Sequence, residues 1–221
     1  MIDNFFEVIS VSITFLAFLF GVIRLLGKDQ PSYFKFYVCA VGCYALEEVW
    51  VLVNTFFGQN ENMISIRLVA LFGCLCFFLT ASAKYLDGMV DSGQKENRTA
   101  RIVALVMPAI LLSLYAYFAV VSKSAWLVKI MVFIVMLPGV ISSYYNLKHL
   151  LMKAESSKYI PCTRPVNAAV LLFFLAIFSY LIPQVSQAGR MTLEILDACA
   201  AGIFALIILL SERGARKWKT T

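Results

Sequence analysis

Charge is scarce in this chain: only 14% of its 221 residues are Asp, Glu, Lys or Arg, while 61% are hydrophobic. A soluble domain is nearer one quarter charged and half apolar, so the composition is that of a membrane protein. Histidine occurs once, at His149. The six cysteines, Cys39, Cys43, Cys74, Cys76, Cys162 and Cys199, contain no C-x-x-C pair. A zinc site needs clustered Cys and His at defined spacing, so metal chemistry has no ligand set here. Five of the cysteines fall inside apolar runs, and they read as small, free, buried residues rather than a disulfide framework. A nucleophile motif is missing too, and an intramembrane protease built on paired glutamates would want histidines within the spans. The chain is therefore expected not to be an enzyme. The start, MIDNFFEVIS, carries Asp3 and Glu7 and lacks a basic leader, so the first apolar run is expected to be retained rather than cleaved.

What remains is apolar and periodic. Seven runs can be counted, at about 5–27, 33–57, 64–86, 102–122, 126–147, 166–186 and 191–211, each close to the 20 residues that cross a bilayer. Their connections are short and no 20–50-residue repeat interrupts them, which predicts a single domain over 1–221. The fold class expected is all-α: an integral membrane bundle of seven transmembrane helices. The net charge of +6 does not point to nucleic acid, because the basic residues sit in short loops. Fifteen of the 19 Lys and Arg follow spans one, three, five and seven; only Arg67, Lys123, Lys129 and Arg190 lie on the other side. By the positive-inside rule the N-terminus is outside and the C-terminus cytoplasmic. That makes a multi-pass protein of the plasma or inner membrane.

A few polar residues break the apolar runs. Glu47 and Glu48 are adjacent near the bilayer centre in span two, so at least one should face the interior. Glu194 and Asp197 are three apart in span seven and share a helix face. Arg67 lies one turn in from the outer end of span three, either snorkelling to the headgroups or paired inward with Asp197 or a span-two glutamate. Lys84 and Lys129 are expected to snorkel. Tyr115, Tyr117 and Trp126 suggest an interfacial aromatic belt, and Pro138-Gly139 a kink in span five. Glu47, Glu48, Arg67, Glu194 and Asp197, with Tyr44, Tyr180 and Gln184 as neighbours, form the candidate ligand- or ion-binding group of the outer half. One arginine and up to four acids buried together cannot all be ionised.

LDACAAGIFALIILLSER in span seven, LFGVIRLLGKDQPSYFKFY around the first turn, KAES at 153–156 and Arg67 on outer span three together resemble the microbial (type 1) rhodopsins. The likeness covers most of the chain and implies a seven-helix fold around a central cavity. The departures bear on function. Where the family carries the retinal-attaching lysine, four residues after the helix-seven aspartate, this chain has Ala201. The family's helix-three carboxylate corresponds to Ala70 and its cytoplasmic-side acid to Ala81. Covalent retinal and light-driven pumping are therefore not expected, and Asp197 and Arg67 are what carries over.

The resulting expectation is a non-enzymatic, rhodopsin-like membrane protein acting as a sensor, receptor-like or binding module. The alternative is a transporter or channel using the acids Glu47, Glu48, Glu194 and Asp197. No cofactor is expected, although a non-covalent apolar ligand stays open. As partners, the lipid bilayer is required. A small apolar ligand or cation, a membrane or cytoplasmic signalling partner and a second copy of the chain stay open.

Overall fold

The computed structural model describes residues 5–27, 30–57, 64–91, 97–153, 159–182 and 190–220, all of them helix or short connection. Seven helices among them are long and apolar enough to cross a membrane. The first span is α1, Phe5–Leu25, which ends in a turn at Leu26 and Gly27. Pro31 fixes the restart, its carbonyl accepting from the Phe34 amide at 3.0 Å, and α2 runs Ser32–Phe57. α1 lies tight against α2: a Cβ on Gly21 would come within 2.8 Å of the Val38 side chain, so glycine lets the two backbones close.

The third span is α3, Ile64–Leu79, continued by a π-helical segment at Thr80–Leu86 and the short α4, Asp87–Val90. Hydroxyls explain the widened turn. Thr80 donates to the Cys76 carbonyl at 2.8 Å and Ser82 to that of Phe78 at 2.9 Å, competing with the helix's own amides. The fourth span is split into α5, Arg98–Val103, and α6, Val106–Val121. Pro108 is the reason, since it has no amide to offer the carbonyl of Ala104, where the helix breaks.

α7, Trp126–Leu151, forms the fifth span and keeps Pro138 inside one continuous helix. α8, Ile160–Ser179, begins earlier than the expected 166, because Pro161 in its first turn removes only an amide that would be unpaired there. α9, Arg190–Thr220, runs well past the expected end at 211. Its polar extension stays helical because one face is packed inward: Ser211, Glu212 and Ala215 are buried, while Arg213, Arg216 and Lys217 face out. Glu212 accepts from Arg216 Nε at 2.5 Å and stands 3.7 Å from Arg24 Nε, tying the ends of α9 and α1.

Spans one, two, three, five, six and seven close into a ring, with span seven back against span one and span four outside against α7 and α8. The ring's middle is filled by aromatic rings. Phe173 and Phe204 lie 4.4 Å apart between centroids, Tyr44 and Phe204 4.5 Å, and Phe78 and Phe173 5.3 Å. All four side chains are fully buried. Offset and edge-on contacts of this kind add about 0.5–1.5 kcal/mol per pair to the packing.

Lys129 Nζ donates to the Ala119 carbonyl at 2.7 Å, satisfying the end of α6. All six cysteines are free, as expected, but Cys39 and Cys199 are exposed on the bundle's outer surface rather than buried.

Candidate functional site

The end of the ring that holds the start of α1, here the amino end, contains a cavity of about 350 Å³ on the bundle axis. Its apolar wall comes from α3, α7 and α8 through Leu71, Val132, Met136 and Ile177, and its rim reaches Ser124 between α6 and α7. Tyr44, Glu47, Arg67, Tyr180 and Asp197 form its polar corner. The aromatic layer lies deeper: Tyr44 packs on Phe204, and Phe173 sits one helical turn below Ile177.

Arg67 is at the centre of that corner. Its Nε donates to Glu47 Oε1 at 2.6 Å, and its terminal nitrogen stands 3.7 Å from Asp197 Oδ1. The guanidinium also sits 5.7 Å from the Tyr180 ring centroid, in cation–π range. Helix spacing produces this meeting. Arg67 enters one turn from the start of α3, Glu47 lies in the second half of α2, and Asp197 is two turns into α9. All three therefore reach the axis at one depth. Tyr180, at the end of α8, donates its hydroxyl to the Leu193 carbonyl at 3.0 Å and locks the α8–α9 corner. Ser10 of α1 likewise donates to the Asp197 carbonyl at 3.3 Å.

The corner is over-supplied with acceptors. Glu47 is 2% exposed, and its second oxygen, Oε2, meets no hydrogen-bond donor; the same holds for Asp197 Oδ1. Buried carboxylate oxygens normally find donors; Asp197 Oδ1 keeps the Arg67 ion pair at 3.7 Å, and the Tyr180 side chain acts on the same carboxylate. Both span-two acids face inward, since Glu48 is also buried. Glu48 is not on the cavity wall but stands behind it, with Asp197, Glu47, Tyr44 and Arg67 as its electrostatic neighbours. Glu194 is buried and acts electrostatically on Asp197, as does Glu7 of α1. Gln184 lies outside the described residues. Ala201 is fully buried. Among the described residues no group of three or more His, Cys, Asp or Glu is placed to hold a metal ion.

A second polar cluster closes the opposite, carboxyl end. Lys148, 4% exposed, pairs with Asp87 and, at 3.2 Å, with Asp91 Oδ2. His149 Nε2 lies 2.9 Å from Asp87 Oδ1, and Arg101 grips Asp91 through two contacts at 2.9 and 2.6 Å. The network binds α4, α5 and α7 together. Sequence reading left these residues unassigned, although Asp87 and Asp91 are only four apart in sequence and Lys148 is next to His149. This half is polar within the bundle as well: Ser82 and Ser142 share a hydrogen bond at 2.9 Å, and Asn146 and Asn167 are fully buried. The apolar cavity wall gave no sequence signal, because a lining leucine looks like any other.

No protein-family model, curated protein or solved structure matches this chain.

Proposed function

We propose that this is a receptor-like membrane protein that binds a small amphiphilic amine in its outer cavity, with no covalent retinal and no catalytic step. The observation that carries the reading is the pair of donorless, buried carboxylate oxygens, Glu47 Oε2 and Asp197 Oδ1, at the polar corner of an apolar-walled cavity. An ammonium group supplies the missing donors, and its carbon chain lies along Leu71, Val132 and Met136. Charge-assisted bonds of this type are about twice as strong as neutral ones. Arg67 holds the two acids in place, and it is the carboxylates of Glu47 and Asp197 that penalise an anionic head. The rhodopsin-like reading of Arg67 and Asp197 fits this role: the pair remains where a cationic partner would sit.

With fifteen of 19 basic residues following spans one, three, five and seven in sequence, the cavity opens to the outside. A cysteine at Ser124 in intact cells is expected to react with an impermeant thiol reagent added externally; reaction only after lysis would reverse the orientation. The binding test is a chain-matched series of hexylamine, hexanol and hexanoate added to purified protein. Hexylamine is expected to raise the melting temperature most and hexanoate least. An equal response to all three would remove the ammonium site.

One observation favours a second reading, transport. Ser82, Ser142, Asn146 and Asn167 place buried polar groups in the half beyond the aromatic layer. Proteoliposomes separate the two readings: a receptor carries no amine or proton flux, whereas a transporter carries flux that the Glu47→Gln change reduces.

A further inference from the structure

A groove of about 460 Å³ lies at the carboxyl end between the last turns of α9 and the first turn of α8. Its apolar side is Pro161, Pro165 and Leu210; its polar side is Arg213, Arg216 and Lys217. From these we infer that the groove binds the headgroup of an anionic phospholipid.

Its position sets the ligand class. The apolar run of α9 ends at Leu210, so the groove starts at the hydrocarbon edge. The three cations then follow within about 10 Å of helix rise, the depth of a headgroup layer and its margin. All three are exposed. Glu212, the acid nearest them in sequence, is buried and shared between Arg216 and Arg24. Three cations on one rim suit a phosphodiester with no compensating choline. The first turn of α8, a 20-residue helix, adds the positive end of its dipole from the other side. The apolar side receives the top of the acyl chains, which a free phosphate cannot use.

Depth comes from Gly214. A Cβ there would lie 2.9 Å from the Cys162 carbonyl oxygen, closer than real side chains approach. Glycine lets α9 press its backbone against α8 at the base of the groove, which Arg213 and Lys217 line. Clusters of basic residues at the ends of transmembrane helices bind anionic lipids by this combination of charge and depth.

The test uses the full chain in uncharged detergent, titrated with dioleoylphosphatidylglycerol, dioleoylphosphatidylcholine or inorganic phosphate. Binding is read by native mass spectrometry and by the thermal midpoint. Phosphatidylglycerol is expected to bind saturably and raise the midpoint, with the other two well behind. The double variant Arg213→Gln/Lys217→Gln should weaken phosphatidylglycerol binding about twenty-five-fold, at about fivefold for each cation lost. Both side chains are exposed, so packing is left intact. The charge-preserving Arg213→Lys/Lys217→Arg chain should bind as the parent does, and Lys123→Gln, at the other end, should change nothing. Undiminished binding by the double glutamine variant would overturn the inference. So would equal binding of phosphatidylcholine, and phosphate matching the lipid would reassign the groove to a free anion.

Discussion

At Arg67 two acids compete for one guanidinium, and they do so unequally. Glu47 meets Nε at 2.6 Å, while Asp197 stands off at 3.7 Å. The arginine side chain is 42% exposed, because it borders the open cavity, whereas Glu47 is enclosed. The nearer, better-buried contact should dominate. In double-mutant cycles of unfolding free energy, Arg67→Gln with Glu47→Gln is expected to show a coupling of about 1–3 kcal/mol. The cycle with Asp197→Asn should give less than about 1 kcal/mol; the reverse order would make Asp197 the arginine's main partner. Sequence reading brought these residues together but left the choice of partner open, since separation along the chain does not give helix rotation. At the other end, Lys148 is almost fully buried against Asp87 and Asp91. Lys148→Met leaves two acids without their shared ammonium and should lower stability by about 3–5 kcal/mol. Lys123→Gln, on an exposed loop, should stay within about 0.5 kcal/mol of the parent in the same unfolding assay.

The elements divide the bundle into an open amino half and a closed carboxyl half, and the division is the aromatic layer. Tyr44, Phe78, Phe173 and Phe204 come from four different helices and meet at one level. In a membrane the apolar rings gain little by avoiding lipid, so their contribution is close packing. Phe204→Ala should cost about 3–5 kcal/mol, measured by unfolding in mixed micelles. A loss below 1 kcal/mol would mean the layer is loosely packed and the cavity has no firm floor. The seven helices were legible as apolar runs because a span must satisfy its backbone internally and face lipid. Their ends were not. α9 continues to Thr220 because Ser211, Glu212 and Ala215 pack inward, and composition alone marks that stretch as a cytoplasmic tail. The π-helical turn at Thr80–Leu86 was likewise invisible, since hydroxyl back-bonding depends on rotamers.

For the whole molecule, the ring of six helices with α5 and α6 outside it leaves one axis, polar at both ends and stopped in the middle. Glu47, Arg67 and Asp197 were legible as candidate site residues because charge inside a span is costly. The cavity that gives them a purpose was not, because only the packing of Leu71, Val132 and Met136 creates it. The reading of the chain as an amine-binding receptor depends on that cavity being reachable and occupied from the amino end. The most direct measurement places a cysteine at Leu71, deep in the wall, in a background with the exposed Cys39 and Cys199 changed to serine. Labelling by a small cationic thiosulfonate reagent added to purified protein is followed over time, with and without hexylamine. The account predicts that Cys at 71 is labelled and that hexylamine slows the reaction in a saturable way, while hexanoate does not. Labelling that never occurs, or that proceeds at the same rate with hexylamine present, would contradict it.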